Sequence, residues 1–267
     1  MKQIHVIYYS ATGGTLKVLQ RLSNILSQQW SLPVVWSSYT TPADRDSFSL
    51  IQPDEFVILG SPVYAGRLPN KLLPFLQEHL QGFNNPTLLL VTFGNRSFDN
   101  ALAEMQTLAE THNLRPVAAA AMVLPHVFDS SIGEGRPSDK DWEELQRFAN
   151  NIHPDISALQ SLPGSADAPY YQPLREDLQP AQFLKAKPEI DISRCTQCLK
   201  CESLCPVGSI HPTDGIITFD GICIKCGACL HNCPSQAISL SHPDYLSHIK
   251  MLREHHNLPT RNSFFLS

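Results

Sequence analysis

The chain has 267 residues, of which 42% are hydrophobic and only 17% are charged, so it can bury a sizeable core. The net charge of -5 argues against general binding to nucleic acid or anionic membranes, because both need a basic surface. The first apolar run, Ile4–Tyr9, is far too short for a signal sequence or a membrane span. We therefore expect a cytoplasmic protein in a reducing compartment, without structural disulfides.

The first 160 residues alternate between strand-like and helix-like segments. Strands are predicted at Ile4–Tyr9, Pro33–Trp36, Phe56–Leu59, Thr87–Phe93 and Val117–Leu124. Apolar residues at helical spacing predict helices over 14–29, 70–80, 99–112 and 138–160. Five strands that alternate with helices predict an α/β fold with a doubly wound parallel sheet. Ligands of such sheets bind at the carboxyl ends of the strands.

The rest of the chain divides by composition. Five prolines mark residues 161–188 as a semi-rigid linker after a first domain of residues 1–160. All eight cysteines lie in a module of residues 189–241, and residues 242–267 are predicted to form a short helix and a tail. A tight cluster of cysteines indicates metal rather than a disulfide framework.

The cysteines form two copies of one motif, Cys-x2-Cys-x2-Cys-x3-Cys-Pro, and each cysteine recurs 28 residues later. This spacing is typical of [4Fe–4S] ligation, in which the fourth cysteine of each run binds the other cluster. Zinc sites pair two Cys-x2-Cys units or use histidines, and do not need this third cysteine. The ligands of cluster I are predicted to be Cys195, Cys198, Cys201 and Cys233. The ligands of cluster II are predicted to be Cys223, Cys226, Cys229 and Cys205.

The first strand is followed by Ser10-Ala11-Thr12-Gly13-Gly14-Thr15, which leads into a helix. Hydroxyl groups and glycines at a strand-to-helix turn favour an anion site, because backbone N–H groups and the helix N-terminus face the ligand. The loop is neither a Walker A motif nor a GxGxxG motif, so a monophosphate is the expected guest.

Three loops resemble those of flavodoxins, and the cysteine module resembles bacterial two-cluster ferredoxins. The whole chain is similar to the flavodoxin–ferredoxin fusion proteins of anaerobic bacteria. The resemblance implies FMN, a sheet order of 2-1-3-4-5 and a small α+β ferredoxin domain. It implies that the phosphate is held by Ser10, Thr12, Gly13, Gly14 and Thr15. It implies that the flavin ring lies against Pro62, Val63, Tyr64, Ala65 and Gly66, and against Gly94, Asn95, Arg96 and Phe98.

Three functions remain open at this point. The first is a relay of single electrons between redox protein partners, and the second is an FMN-dependent reductase of a small molecule. The third is a redox sensor or assembly subunit. A reductase needs a proton donor beside the flavin, for which His126 is the one candidate, although a lone histidine is more often structural. Two clusters and FMN phosphate would take the charge from -5 to about -11, which favours partners with a basic face.

Overall fold

The computed structural model describes residues 1–155, 157–214 and 216–267. Position 156, within the helix predicted over 138–160, and position 215, within the cysteine module, lie outside the described residues. The largest sheet contains five parallel strands: β1 (Gln3–Tyr8), β2 (Val34–Ser38), β3 (Glu55–Pro62), β4 (Asn85–Phe93) and β5 (Leu114–Val123). The helices among them are α1 (Gly14–Trp30), α2 (Pro42–Asp46), α3 (Leu73–His79), α4 (Ala101–Thr111) and α5 (Asp139–Asn150).

The five parallel strands lie in the order β5-β4-β3-β1-β2, which confirms the predicted doubly wound fold. Successive residues of each strand pack on opposite faces of the sheet. Leu59 and Leu89 join one hydrophobic core with residues of α3 and α4. Ile58 and Leu88 join a second core with residues of α1 and α5. Because both faces are covered, the strands are almost continuously apolar.

The same covering explains β5, whose four consecutive alanines are weak strand formers. Ala118–Ala121 are completely buried between the two helix layers, and burial outweighs their low β-propensity. The predicted helix over 138–160 is shorter in the structure, because α5 ends at Asn150. Helix α2 is an element that hydrophobic periodicity missed. It has five residues, and Thr41 forms a capping box with Asp44 at its start.

The sheet has a sixth strand, which differs from the five expected from the sequence. After helix α8 (Pro243–His255), strand β10 (Ser263–Leu266) pairs antiparallel with β5, with Ser263 opposite Ala121. The C-terminal segment, predicted to be a helix and a tail, therefore returns to the first sheet. The cysteine module lies between β5 and β10 in the chain, so its two ends are both tied to this sheet.

The cysteine module has little regular structure. It contains β6 (Glu189–Ile190), α6 (Lys200–Ser203), β7 (Ile210–Thr213), β8 (Ile216–Phe219), α7 (Ala228–Asn232) and β9 (Ile238–Ser239). Strands β6 and β9 form one two-stranded sheet, and β7 and β8 form another. Its buried core consists of Ile210, Ile217 and Ile238 with two cysteines. None of the helices within the described ranges is long and apolar enough to cross a membrane.

Candidate cofactor sites

The eight cysteines surround two separate cavities. Cys205, Cys223, Cys226 and Cys229 line a cavity of about 40 Å³. Cys195, Cys198, Cys201 and Cys233 line a second cavity of about 20 Å³. Each cavity thus combines three cysteines of one motif with the fourth cysteine of the other motif. This is the grouping predicted for clusters II and I, respectively.

The two cysteine loops share a backbone conformation, which reflects the internal duplication. Gln197 and Lys225, which are 28 residues apart in sequence, both have a left-handed backbone, with φ of 54° and 56°. The next pair, Leu199 and Gly227, is also left-handed, with φ of 58° and 75°. The left-handed residues thus recur at equivalent positions of the two cysteine loops.

The loops also repeat their hydrogen bonds to sulfur. The N–H of Ser209 donates to Cys205 Sγ at 3.3 Å, and the N–H of Ala237 donates to Cys233 Sγ at 3.3 Å. Backbone donors of this kind stabilise a thiolate, which is the form that binds iron. Burial raises the pKa of Cys233, but the hydrogen bonds from Ser235 and Ala237 outweigh it and hold that pKa below its usual value.

The thiols around the first cavity would ionise only next to a cationic group. Burial, followed by the charge of neighbouring thiolates, raises the pKa of Cys229 to about 12. Burial also raises the pKa of Cys226 to about 12, and Cys223 and Cys205 add to the effect. Four thiolates can be held this close only if a cation neutralises them. The donor set therefore fits an iron–sulfur cluster.

The loop between β1 and α1 has the features of an anion site. Gly13 adopts a left-handed conformation with φ of 85°, and helix α1, 17 residues long, begins directly after it. Ser10 Oγ accepts a hydrogen bond from the N–H of Leu16 at 3.0 Å, which closes the turn. Thr15 Oγ1 lies 2.8 Å from Thr92 Oγ1, so the helix start is fixed to the end of β4. This geometry presents a helix N-terminus to a monophosphate.

A cavity of about 90 Å³ opens next to this loop at the carboxyl end of the sheet. We call it the phosphate-loop cavity. The residues predicted for FMN that line it are Ser10, Thr12, Gly14, Thr15, Pro62, Val63, Tyr64 and Gly94. Its wall also contains Thr92, Phe93 and the segment Leu124–Val127 after β5, with Cys226 from the cysteine module. The position of the segment after β5 in this wall follows from the fold, because the carboxyl ends of all the parallel strands lie at this edge of the sheet.

The other residues predicted to contact flavin have different surroundings. Asn95 is 1% exposed, and its side-chain amide donates to the carbonyl oxygens of His256 and Leu258 at 2.7 and 3.0 Å. The guanidinium of Arg96 lies 3.8 Å from the centre of the Tyr171 ring and pairs with Asp99. These two side chains hold the C-terminal segment and the linker.

The remaining members of the second and third loops also have protein partners. Phe98 packs against Phe93 with ring centroids 5.5 Å apart. The carbonyl of Ala65 accepts a hydrogen bond from the N–H of Tyr171 at 2.8 Å, and that of Gly66 accepts one from the N–H of Asn100 at 3.0 Å. The linker therefore lies along the outer side of the second loop.

Tyr64 contributes a phenol to the cavity wall, and this phenol is paired with a second one. Its hydroxyl lies 2.9 Å from that of Tyr9, which has no exposed surface. Burial raises the pKa of Tyr64 well above its usual range, and the proximity of Cys226 adds to this. Both phenols therefore stay neutral and act as hydrogen-bonding groups.

His126 lies in the same cavity, against Gly94. Its Nδ1 accepts a hydrogen bond from the N–H of Phe128 at 3.1 Å, which places the proton of the neutral ring on Nε2. Burial, followed by the charges of His248 and Arg96, lowers its pKa to about 4. A neutral imidazole is a poor proton donor, so this environment favours a positioning role over general acid catalysis.

Comparison with known proteins identifies the cysteine module. Residues 188–211 match the family described as 4Fe-4S binding domain. A stretch of 47 residues is 45% identical to one subunit of the ion-translocating oxidoreductase complex of Methanosarcina acetivorans. That stretch is 17% of this chain and spans only 18% of the relative.

Solved structures resemble the first domain at low identity. A flavodoxin from the domain Archaea is 14% identical, with 55% of this chain and 93% of that chain covered and a TM-score of 0.38. The oxidised flavodoxin 2 of Bacillus cereus is 16% identical, with coverage of 55% and 95% and a TM-score of 0.42. The NADH:FMN oxidoreductase EMOB in its apo form is 14% identical, with coverage of 63% and 97% and a TM-score of 0.45.

The chain thus joins a flavodoxin-like parallel α/β sheet to a 4Fe-4S binding domain. An iron–sulfur cluster exchanges single electrons, so the 4Fe-4S binding domain is the part of the chain that indicates electron transfer.

Proposed function

We propose that the protein carries two [4Fe–4S] clusters and one FMN, and relays single electrons between redox protein partners. The observation that supports this most strongly is the position of Cys226. It lines the cavity proposed for cluster II and also the phosphate-loop cavity. An iron–sulfur ligand in the wall of a flavin site brings a one-electron centre next to a two-electron centre.

The phosphate end of FMN fits the observed site. The phosphate would be held by the loop Ser10–Thr15, with the hydroxyls of Ser10, Thr12 and Thr15 and the N-terminus of α1. The flavin supplies reversible two-electron storage when it is bound. The chain's own residues would position it: Tyr64 and Gly94 line the cavity from two different loops, and Leu124–Val127 and Cys226 complete its wall.

A relay is favoured over a small-molecule reductase by the state of His126. A reductase needs a proton donor beside the flavin, and His126 is neutral at physiological pH because burial lowers its pKa to about 4. The loaded chain would carry a charge of about -11, starting from -5. Its protein partners should therefore dock through a basic face, and salt should weaken their binding.

The test is anaerobic reoxidation of the fully reduced protein. A small basic c-type cytochrome, an acidic flavodoxin and a panel of soluble quinones serve as acceptors. The proposal predicts rapid reoxidation by the basic protein, with a rate that falls as salt rises, and slower reoxidation by the acidic protein. Reoxidation that is fast only with quinones, and independent of salt, would show a reductase instead.

A further inference from the structure

We propose that cluster II, and not cluster I, exchanges electrons directly with the flavin, and that cluster I faces the external partner. This inference rests on the proposed function and assigns an order to its cofactors. Cys226 lines both the cluster II cavity and the phosphate-loop cavity. By contrast, no cysteine predicted for cluster I lines the phosphate-loop cavity within the described part of the chain.

The exposure of the cysteines gives the same order. Cys205, Cys226 and Cys229 are each only 8–9% exposed. Cys198, predicted for cluster I, is exposed to solvent. Cluster I is therefore the centre that a partner protein can approach, and cluster II, with three of its four predicted ligands buried, is the less accessible of the two.

Contacts next to cluster II ligands fix the module against the sheet. His231 Nε2 lies 2.7 Å from the carbonyl oxygen of Val127, which follows β5. A Cβ added at Gly227, the residue after Cys226, would come within 2.9 Å of Val127 Cγ2. Only glycine allows this close approach of the cysteine loop to the cavity wall.

A second contact holds the opposite side of the cluster II cavity. Arg45 Nη2 donates to the carbonyl of Pro206 at 3.0 Å, and Pro206 directly follows Cys205. The module is thus attached through the neighbours of Cys205 and Cys226, both proposed ligands of cluster II. Attachment at these points keeps cluster II at a fixed distance from the flavin cavity.

The electrons balance along this path. Cys195, Cys198, Cys201 and Cys233 would hold the centre that takes one electron from a protein partner. Cys205, Cys223, Cys226 and Cys229 would hold the centre that passes this electron on to the flavin. Two such one-electron transfers, with two protons from water, would supply the two electrons that a flavin stores, and the reverse sequence would return them singly.

The duplication provides a matched pair of variants for the test. Cys195→Ala and Cys223→Ala each remove the first ligand of one motif, and neither residue lines the phosphate-loop cavity. The proteins are loaded with 5-deaza-FMN, which does not stabilise a one-electron-reduced state. Iron analysis and electron paramagnetic resonance first establish which cluster remains. The probe is then the ³¹P line width of the bound phosphate before and after reduction with dithionite, because a reduced cluster is paramagnetic.

The inference predicts a several-fold broader ³¹P line on reduction of Cys195→Ala, which keeps cluster II. It predicts a line of nearly unchanged width for Cys223→Ala, which keeps cluster I. Broadening only in Cys223→Ala, or equal broadening in both variants, would overturn the order. Such a result would leave the cofactor content, and hence the proposed relay, intact.

A third variant keeps all eight cysteines, and so covers the case in which a cysteine variant fails to fold. His231→Ala removes the contact with Val127 but no proposed ligand. The inference predicts unchanged iron content and a narrower ³¹P line than in the reduced parent protein, because cluster II is held less closely. The control is His255→Ala, which changes an exposed histidine at the end of α8. This variant should leave the ³¹P line width unchanged. An unchanged line in His231→Ala, with cluster II reduced, would contradict the role of this attachment.

Discussion

Single side chains at the carboxyl edge of the sheet have properties set by burial. His126 is the clearest case: its ring packs against Phe128, with the ring centroids 5.0 Å apart. Burial, together with the charges of His248, Arg96 and His256, lowers its pKa to about 4. Asp129 opposes this shift but does not cancel it. The folded protein therefore binds a proton at His126 less readily than the unfolded chain does.

The consequence is a pH-dependent loss of stability. In the unfolded chain the histidine takes up a proton below about pH 6.5, whereas the folded protein resists protonation until about pH 4. Stability should therefore fall as the pH is lowered from 6.5 towards 5, by up to about 2 kcal/mol. Asparagine at this position retains an acceptor for the N–H of Phe128 without titrating. Anaerobic thermal unfolding should show a smaller decrease between pH 7 and pH 5 for His126→Asn, and parallel profiles would contradict the assignment.

At the residue level, the surroundings of the cysteines depend on local sequence more than those of the predicted flavin loops do. The grouping of the cysteines depends on spacing that is repeated within one short module, so local sequence carries it. The surroundings of Asn95 depend on residues His256, Leu258 and Thr260, more than 160 positions away. No local sequence pattern at Gly94–Phe98 indicates that Asn95 bonds to this distant segment. The closeness of Cys226 to the phosphate loop is likewise a property of how two distant segments pack.

At the level of elements, the C-terminal segment completes the first domain. Asn95 donates to two of its carbonyl groups and accepts from the N–H of Thr260 at 3.0 Å. Asn262 donates to Asp141 at 2.7 Å and accepts from the N–H of Val123 at 3.0 Å, directly before β10. Buried polar groups of this kind are costly to leave without partners. The strand is therefore positioned by side chains as well as by its pairing with β5.

Substitution of Asn95 by alanine should destabilise the protein and release this segment. Three backbone groups, of His256, Leu258 and Thr260, lose their hydrogen bonds to a buried side chain, at a cost of about 2–4 kcal/mol. Denaturant unfolding measures the loss, and limited proteolysis should cut residues 256–262 faster than in the parent. Asn151→Ala is the control, because this exposed side chain bonds to the end of its own helix and should cost under about 0.5 kcal/mol. A cost for Asn95→Ala as small as that of the control would contradict the anchoring role.

The sixth strand, β10, was not predicted, which shows a limit of predicting elements from sequence. The five parallel strands were predicted because each is an apolar run between turn signals. Strand β10 has four residues in a polar segment, and only Phe264 and Phe265 suggest packing. Its formation depends on the free edge of β5, which the local sequence does not reveal. Helix α2 was missed for a similar reason, since its capping box is present but it has no buried residue.

Over the whole molecule, the two parts differ in what stabilises them. The sheet has large cores on both faces, whereas the module buries Ile210, Ile217 and Ile238 with two cysteines. A core this small supplies little stability, so metal binding should supply most of the folding free energy of the module.

Removal of iron and sulfide should therefore unfold residues 189–241 and leave the parallel sheet folded. Hydrogen exchange followed by mass spectrometry should show loss of protection throughout the module and retained protection in β1, β3 and β4. Anaerobic reconstitution with iron and sulfide should restore the protection. A module that stays protected without iron would mean that its apolar contacts suffice, against our interpretation.

The most direct test of the account is the cofactor content of protein purified without oxygen. Iron, acid-labile sulfide and flavin are measured per chain, together with the visible spectrum. Two [4Fe–4S] clusters and one flavin predict about eight irons, about eight sulfides and about one FMN. About four irons or fewer, or about eight irons with no flavin retained even after FMN is added, would contradict the proposed pairing of two clusters with a flavin.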